Sequence, residues 1–273
     1  MISAQLVPVV APALLVVESL RRGFASGAIV ALLVSGLIAL LSLSAGASPA
    51  TALLLTVPVL VGGAAMGGLL RWSRSLSVAF QFTLIGAVVF VLATYVVIPN
   101  PERIGEALLT DVVTMLESFG VTEAGLAQFA ATDPVLIVRL MVIALTFSML
   151  VALMLGYWWY SLIDERVRFG AEFRALKLGR VAGIAMMVLV TLNLFLGFEV
   201  FSNMAALAVF GFLFQGLAVM HARSRSHQWP RSLLIAVYVA MVTPLISLVV
   251  MALSAVGLLD NFFALRAPVE PKD

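Results

Sequence analysis

Apolar residues come in runs of about twenty along most of this chain, separated by short polar or charged interruptions. Such a run matches the roughly 20 residues that a helix needs to cross about 30 Å of hydrocarbon. The runs fall at about 5–20, 23–44, 51–70, 76–98, 134–163, 181–198, 204–220 and 233–258. They are apolar all round rather than alternating, which argues for helices and against barrel strands. The first is short and holds Pro8 and Pro12, so it reads as spanning, broken or partly interfacial. Pro58 and Pro244 interrupt the third and the eighth. The expected architecture is all-α: a polytopic membrane bundle of about eight segments, forming one domain over 1–273.

Two interruptions are longer than the rest. The stretch 100–133 carries Glu102, Glu106, Asp111, Glu117, Glu123 and Asp133 against a lone cation, Arg103. Within it Ile104, Leu108, Val112 and Met115 recur at helical spacing, which predicts an amphipathic helix on the outer membrane surface, closed near Gly120. The other long interruption, Asp164 to Arg180, reads DERVRFGAEFRALKLGR and holds five of the sixteen Lys and Arg. It has two readings: a linker docked on lipid headgroups, or a surface that couples to another protein through Glu172, Arg174, Lys177 and Arg180.

Charge orients the segments. Loops after the first, third, fifth and seventh segments (21–22, 71–74, 164–180 and 221–231) hold twelve cations, and the opposite side holds four: Arg103, Arg139, Arg266 and Lys272. Cytoplasmic loops are enriched in Lys and Arg, so the twelve are expected inside a bacterial inner membrane, with both termini on the other side where the first segment spans and only the N-terminus moved where it does not. The N-terminal run lacks a basic start and a small-residue cleavage site, so no removable signal peptide is expected.

Composition narrows the function classes. With 63% hydrophobic and 11% charged residues, the chain lacks the polar surface that a soluble domain of its length requires. There is no cysteine, which removes disulfides, thiolate metal sites and cysteine nucleophiles. A net charge of +2 is accounted for by membrane topology without nucleic acid. His221 and His227 lie among arginines, which oppose a bound cation. No H-E-x-x-H, G-x-S-x-G or P-loop pattern occurs, so neither an enzyme nor a cofactor is expected.

Polar residues inside apolar runs are costly and mark pockets, partners or interhelical bonds. Gln81, Arg139, Asn193, Glu199, Asn203 and Gln215 are the candidates. Arg139 either snorkels outward or faces an anion-attracting pocket. Glu199 and Asn203 either cap a tight link between segments six and seven or line a cavity. Asn193 and Gln215 either bond helices together or join that cavity. A small solute in an outward-facing site is one expectation for Arg139, Asn193, Glu199, Asn203 and Gln215. Gly23, Gly27, Ala31, Ser35 and Ala39 recur every fourth position and predict a helix face for close packing, within the chain or against a partner.

Several phrases in order carry a resemblance: Arg22-Gly23-x-x-x-Gly27, Leu70-Arg71-x-x-x-Ser75-Leu76, Trp158-Trp159, Glu172-Phe-Arg-x-Leu-x-Leu-Gly-Arg180, Gln215-Gly-Leu-Ala-Val-x-His221 and Gly257-Leu-Leu-Asp260-x-x-x-x-x-Arg266. Together they resemble the YybS-like family of bacterial membrane proteins, which is distantly similar to the substrate-binding S components of energy-coupling-factor (ECF) transporters. The resemblance implies a solute-binding or transport-associated subunit that works with transmembrane or ATPase partners, and the small-residue face would suit such coupling. Eight segments exceed the usual six of an S component, and no ligand motif of that group is present. The alternative is a membrane scaffold or regulatory protein that docks partners on its basic linker.

Overall fold

A computed structural model describes residues 2–44, 48–97, 101–226, 228–263 and 265–266; the side chains of 2–8, 51, 94–97, 101, 102, 139 and 199 lie outside the description. Lys272 and His227, used above in counting charge and weighing a metal site, also lie outside it. Among the described residues the fold is all-helical, with twelve helices. They are α1 (Ile2–Arg22), α2 (Phe24–Ser44), α3 (Pro49–Ser73), α4 (Leu76–Val97), α5 (Pro101–Ser118), α6 (Glu123–Ala130), α7 (Pro134–Ile163), α8 (Phe169–Arg174), α9 (Gly179–Leu196), α10 (Glu199–Arg225), α11 (Arg231–Met241) and α12 (Ile246–Phe263). Seven of them, α2, α3, α4, α7, α9, α10 and α12, are long and apolar enough to cross a membrane. That is the composition of a multi-pass helical membrane protein.

The central helix is α10. Of its apolar window 72% is buried, against at most 33% in the other candidate spans. Every residue from Gly211 to Met220 is buried. Around it lie α4, α7, α9, α11 and α12. A second group, α1 to α3, packs on α7 through small residues. Gly63 and Gly67 of α3 face Pro12 and Val16 of α1, and Gly156 of α7 faces Ala13 and Val16. A methyl group at Gly156 would lie 2.6 Å from the Ala13 carbonyl oxygen, so backbone contact there requires glycine. The first segment is thus one continuous helix packed on α3 and α7, not a broken piece. The small-residue stripe of α2 is buried as expected, at Gly27, Ala31, Ser35 and Ala39.

Three sequence expectations change. Glu199–Asn203 is not a link: the turn is Gly197–Phe198, with Gly197 at φ 64°, and Glu199 opens α10. A left-handed residue at that position ends α9 and lets the chain reverse at once, so the apolar core of α10 can start five residues earlier. The helix α5 ends at Ser118, and Gly120 follows at φ 75°. It packs on α7, with Gly105 against Pro134 and Leu109 buried.

The largest change concerns 233–258. This run is two helices, α11 and α12, broken at Val242–Leu245 around Pro244. Eleven residues make α11 about 16 Å long, half of a hydrocarbon core. The break satisfies its own backbone: the Val242 and Thr243 amides donate to the Val239 and Ala240 carbonyls, Thr243 Oγ1 donates to the Ala240 carbonyl, and the Leu245 amide donates to Thr243 Oγ1. Hydroxyl groups commonly resatisfy freed backbone at proline breaks in apolar surroundings. The helix α12 then brings its last turn to the Asp164–Arg180 linker. This corrects the charge count. Arg266 lies at the linker's end of the bundle, bonded to the linker backbone, and not on the opposite side.

Candidate functional site: the linker lock

The Asp164–Arg180 linker does not lie loosely over the bundle. Its apolar residues point inward: Leu176 and Leu178 are buried, and Val167, Phe169 and Phe173 pack on the same core as Phe80 of α4, Leu153 of α7 and Phe212 of α10. Phe169 also stacks on Phe173 and meets the ring of Tyr157 edge-on. A linker inside the core must satisfy its exposed amides and carbonyls there, because each unpaired buried group costs about 1–3 kcal/mol. Three sides supply the partners.

From α4, Ser77 Oγ accepts from the Lys177 amide at 3.1 Å, and Gln81 Nε2 donates to the Lys177 and Leu178 carbonyls at 3.0 and 3.3 Å. From α10, Gln215 Oε1 accepts from the Leu178 amide at 2.9 Å. From α12 and the residues after it, Asn261 Oδ1 accepts from the Gly179 amide at 3.0 Å, and Arg266 donates to the Arg174 and Leu176 carbonyls, each at 2.6 Å. Gln215 and Asn261 thereby cap the first amides of α9, which Leu178 at the cap position does not do with its own side chain.

The partners are bonded to each other. Gln215 Nε2 donates to Asp260 Oδ2 at 2.9 Å and to Asn261 Oδ1 at 3.1 Å. Asp260 Oδ2 also accepts from Arg266 Nη2 at 2.8 Å, in an ion pair whose side chains are 2% and 18% exposed. A buried carboxylate is tolerated when it has such a pair and hydrogen bonds. Gln215 is completely buried in this network. At the other edge of the linker, Glu172 accepts from the Tyr157 hydroxyl at 2.6 Å and from the Leu76 amide at 3.1 Å. A carboxylate at the first amide of α4 also meets the positive end of that helix's dipole.

The proposed site residues divide between two places. Arg139 lies in the second turn of α7, Asn193 near the end of α9, and Glu199 and Asn203 in the first turns of α10. The side chains of Arg139 and Glu199 are outside the description. Val142 and Leu207 pack together, which sets the backbone positions of Arg139 and Asn203, about one turn away on each, at one level of two neighbouring helices. Asn203 is buried and Asn193 half-buried. Gln215 belongs elsewhere. It is twelve residues from Asn203 on α10, about 18 Å along the axis, and is committed to the linker.

The coupling residues divide too. Glu172 is engaged by α4 and α7, and Arg174 is half-buried with its carbonyl held by Arg266. The side chains of Lys177 and Arg180 are exposed, as are those of Glu165, Arg166 and Arg168. Gly27 and Ala31 are taken up within the chain: a Cβ at Gly27 would meet Ser19 of α1 and Ala64 of α3. Gly23 is the turn between α1 and α2, at φ 100°.

Asp260, Asn261 and Arg266 were not singled out from the sequence, although Asp260 and Arg266 fall within one of its quoted phrases. The only available signal was a carboxylate placed among Leu258, Leu259 and Phe262, where it needs a partner. His221 meets Phe173 edge-on, and its Nε2 is 2.9 Å from the Tyr238 hydroxyl. Among the described residues no group of three His, Cys, Asp or Glu is placed to hold a metal. Comparison with protein-family models, with curated proteins and with solved structures gives no match for this chain.

Proposed function

We propose that this protein is a docking subunit of a bacterial inner membrane, with the linker end of the bundle facing the cytoplasm. The observation that carries this reading is the lock: a charged linker fixed at its backbone from α4, α10, α12 and Arg266, with Arg166, Arg168, Lys177 and Arg180 turned outward. A preorganised surface loses little entropy when a partner binds. A cationic surface selects a partner with an acidic face and accelerates their encounter. Placing Arg266 with the linker puts thirteen of the described cations at that end, against Arg103 and Arg139 at the other, which supports the cytoplasmic assignment. In this orientation α5, on the opposite side, lies along the outer membrane surface as an amphipathic helix.

The resemblance to the YybS-like family, itself distantly similar to ECF S components, suggests that the docked partner belongs to a transport assembly, such as its ATPase or membrane subunit. Capture of a solute by this chain alone has weaker support, because Gln215 is engaged about 18 Å from Asn203. The test is a photo-crosslinking amino acid at Lys177, compared with one at Leu33 on the exposed face of α2. A discrete protein adduct at 177, lost on Arg168→Glu with Arg180→Glu and absent at 33, is the expected result. Lipid adducts alone at both positions would remove the docking reading.

A further inference from the structure

A second cationic feature lies on different helices, at the turns joining α1 to α2 and α3 to α4. Gly68 on α3 packs against Phe24 of α2, so the two turns are neighbours. Arg71 staples them: its Nη1 donates to the Leu20 and Arg21 carbonyls at 2.5 and 2.8 Å, closing the last turn of α1. That contact holds the Arg71 guanidinium beside Arg21. The exposed side chains on the two turns include Arg21, Arg22, Arg71, Trp72 and Arg74. Arg22 is turned back toward Glu18, at 3.6 Å. Trp72 is 78% exposed and directly follows the apolar run of α3. Arg74 has φ 52°, the one non-glycine residue with positive φ among the described residues, and it turns the chain directly from α3 into α4.

We propose that these two turns form a docking site for the anionic headgroup of a membrane phospholipid, with Arg21 and Arg74 facing the phosphate and Trp72 inserted beside the acyl-chain boundary. Three facts favour a lipid over a soluble anion. The cations stand where apolar helices end, at the depth of a headgroup. Indole is the side chain most suited to that boundary, with an apolar body and a polar N–H. The exposed flanks of α2, including Leu33 and Leu40, continue from the site as an apolar surface for the acyl chains. Arg71, held by two carbonyls, positions the turns rather than serving as the main phosphate ligand.

The experiment uses the full chain in neutral detergent, titrated with phosphatidylglycerol or with phosphatidylcholine of the same acyl composition, with bound lipids counted by native mass spectrometry. Phosphatidylglycerol is expected to bind preferentially, and Arg21→Gln with Arg74→Gln to weaken it about fivefold per cation removed. The charge-conserving pair Arg21→Lys with Arg74→Lys should keep most of the binding. Arg103→Gln, an exposed cation on α5, should leave it unchanged. Inorganic phosphate at millimolar concentration should not displace the lipid. Equal losses from the paired variant and from Arg103→Gln would reduce the effect to net charge and overturn the proposal. Equal binding of both lipids, or displacement by phosphate, would overturn it as well.

Discussion

Replacing Asp260 with alanine tests the linker lock most directly. The carboxylate is buried and accepts from Gln215 at 2.9 Å and from Arg266 at 2.8 Å. Removing one member of a buried pair costs about 3–5 kcal/mol when the other is left stranded. Arg266 is not stranded, since it keeps the Arg174 and Leu176 carbonyls at 2.6 Å. Its share of the loss therefore falls to about 2 kcal/mol, the value of a hydrogen bond involving a charged group. Gln215 Nε2 loses one of its two acceptors inside a fully buried site, which adds about 1 kcal/mol. The total of about 3 kcal/mol is roughly a 150-fold shift toward a released linker. The chain has no native cysteine, so a single cysteine at the buried position 178 reports release by its rate of maleimide labelling. Labelling at 178 should accelerate by about two orders of magnitude in the Asp260→Ala background. A cysteine at the exposed position 177 should label at one rate in both backgrounds. Arg266→Ala should give a similar acceleration, and the double variant should fall short of the sum because the two residues share one pair. If position 178 labels within twofold of its native rate and the melting temperature is unchanged, the network does not hold the linker.

Other consequences follow from the same contacts. Glu172→Gln keeps one acceptor oxygen but loses the charge that strengthens the bonds from Tyr157 and Leu76, so a loss of about 1–2 kcal/mol is expected in a thermal or denaturant melt. At Gly156 an alanine would overpack the α1–α7 contact and cost about 1–3 kcal/mol. The same change at Gly86, where nothing lies within 4 Å of the added methyl, should stabilise α4 by up to about 1 kcal/mol on helix propensity alone. Impermeant maleimide should reach a cysteine at position 265 from the same side of the membrane as one at 170; labelling from opposite sides would refute the hairpin path of α11 and α12.

Much of the helical layout was legible because long apolar runs leave the chain few alternatives. The expected run 134–163 coincides with α7, and 23–44 with α2 to within a residue. The small-residue stripe on α2 was readable from spacing alone, since only a helix places every fourth residue on one face. The hairpin at Pro244 was not readable in this way. A run of that length accommodates either a kinked span or two helices, and the choice rests on Thr243 closing the turn and on α12 finding Gln215, which are tertiary facts. The inward packing of the linker was hidden for a related reason. Its charges at Arg166, Arg168 and Lys177 are visible in sequence, while the inward alignment of Phe173, Leu176 and Leu178 has no regular period. Gln215 was recognised as a residue that needs a partner, and its partners within the chain are the Leu178 amide and the side chains of Asp260 and Asn261.

The lock also imposes an order on synthesis. Gly179 and Asn261 are 82 positions apart, and Arg266 comes later still. At about 5–20 residues per second, a ribosome delivers the second half of the lock some 4–16 s after the first. Throughout that interval the nascent linker has its α4 and α7 contacts and, once α10 is made, Gln215, but its Gly179 amide lacks Asn261, so any chaperone or insertase that recognises the unpaired amide has a window that shuts when α12 arrives.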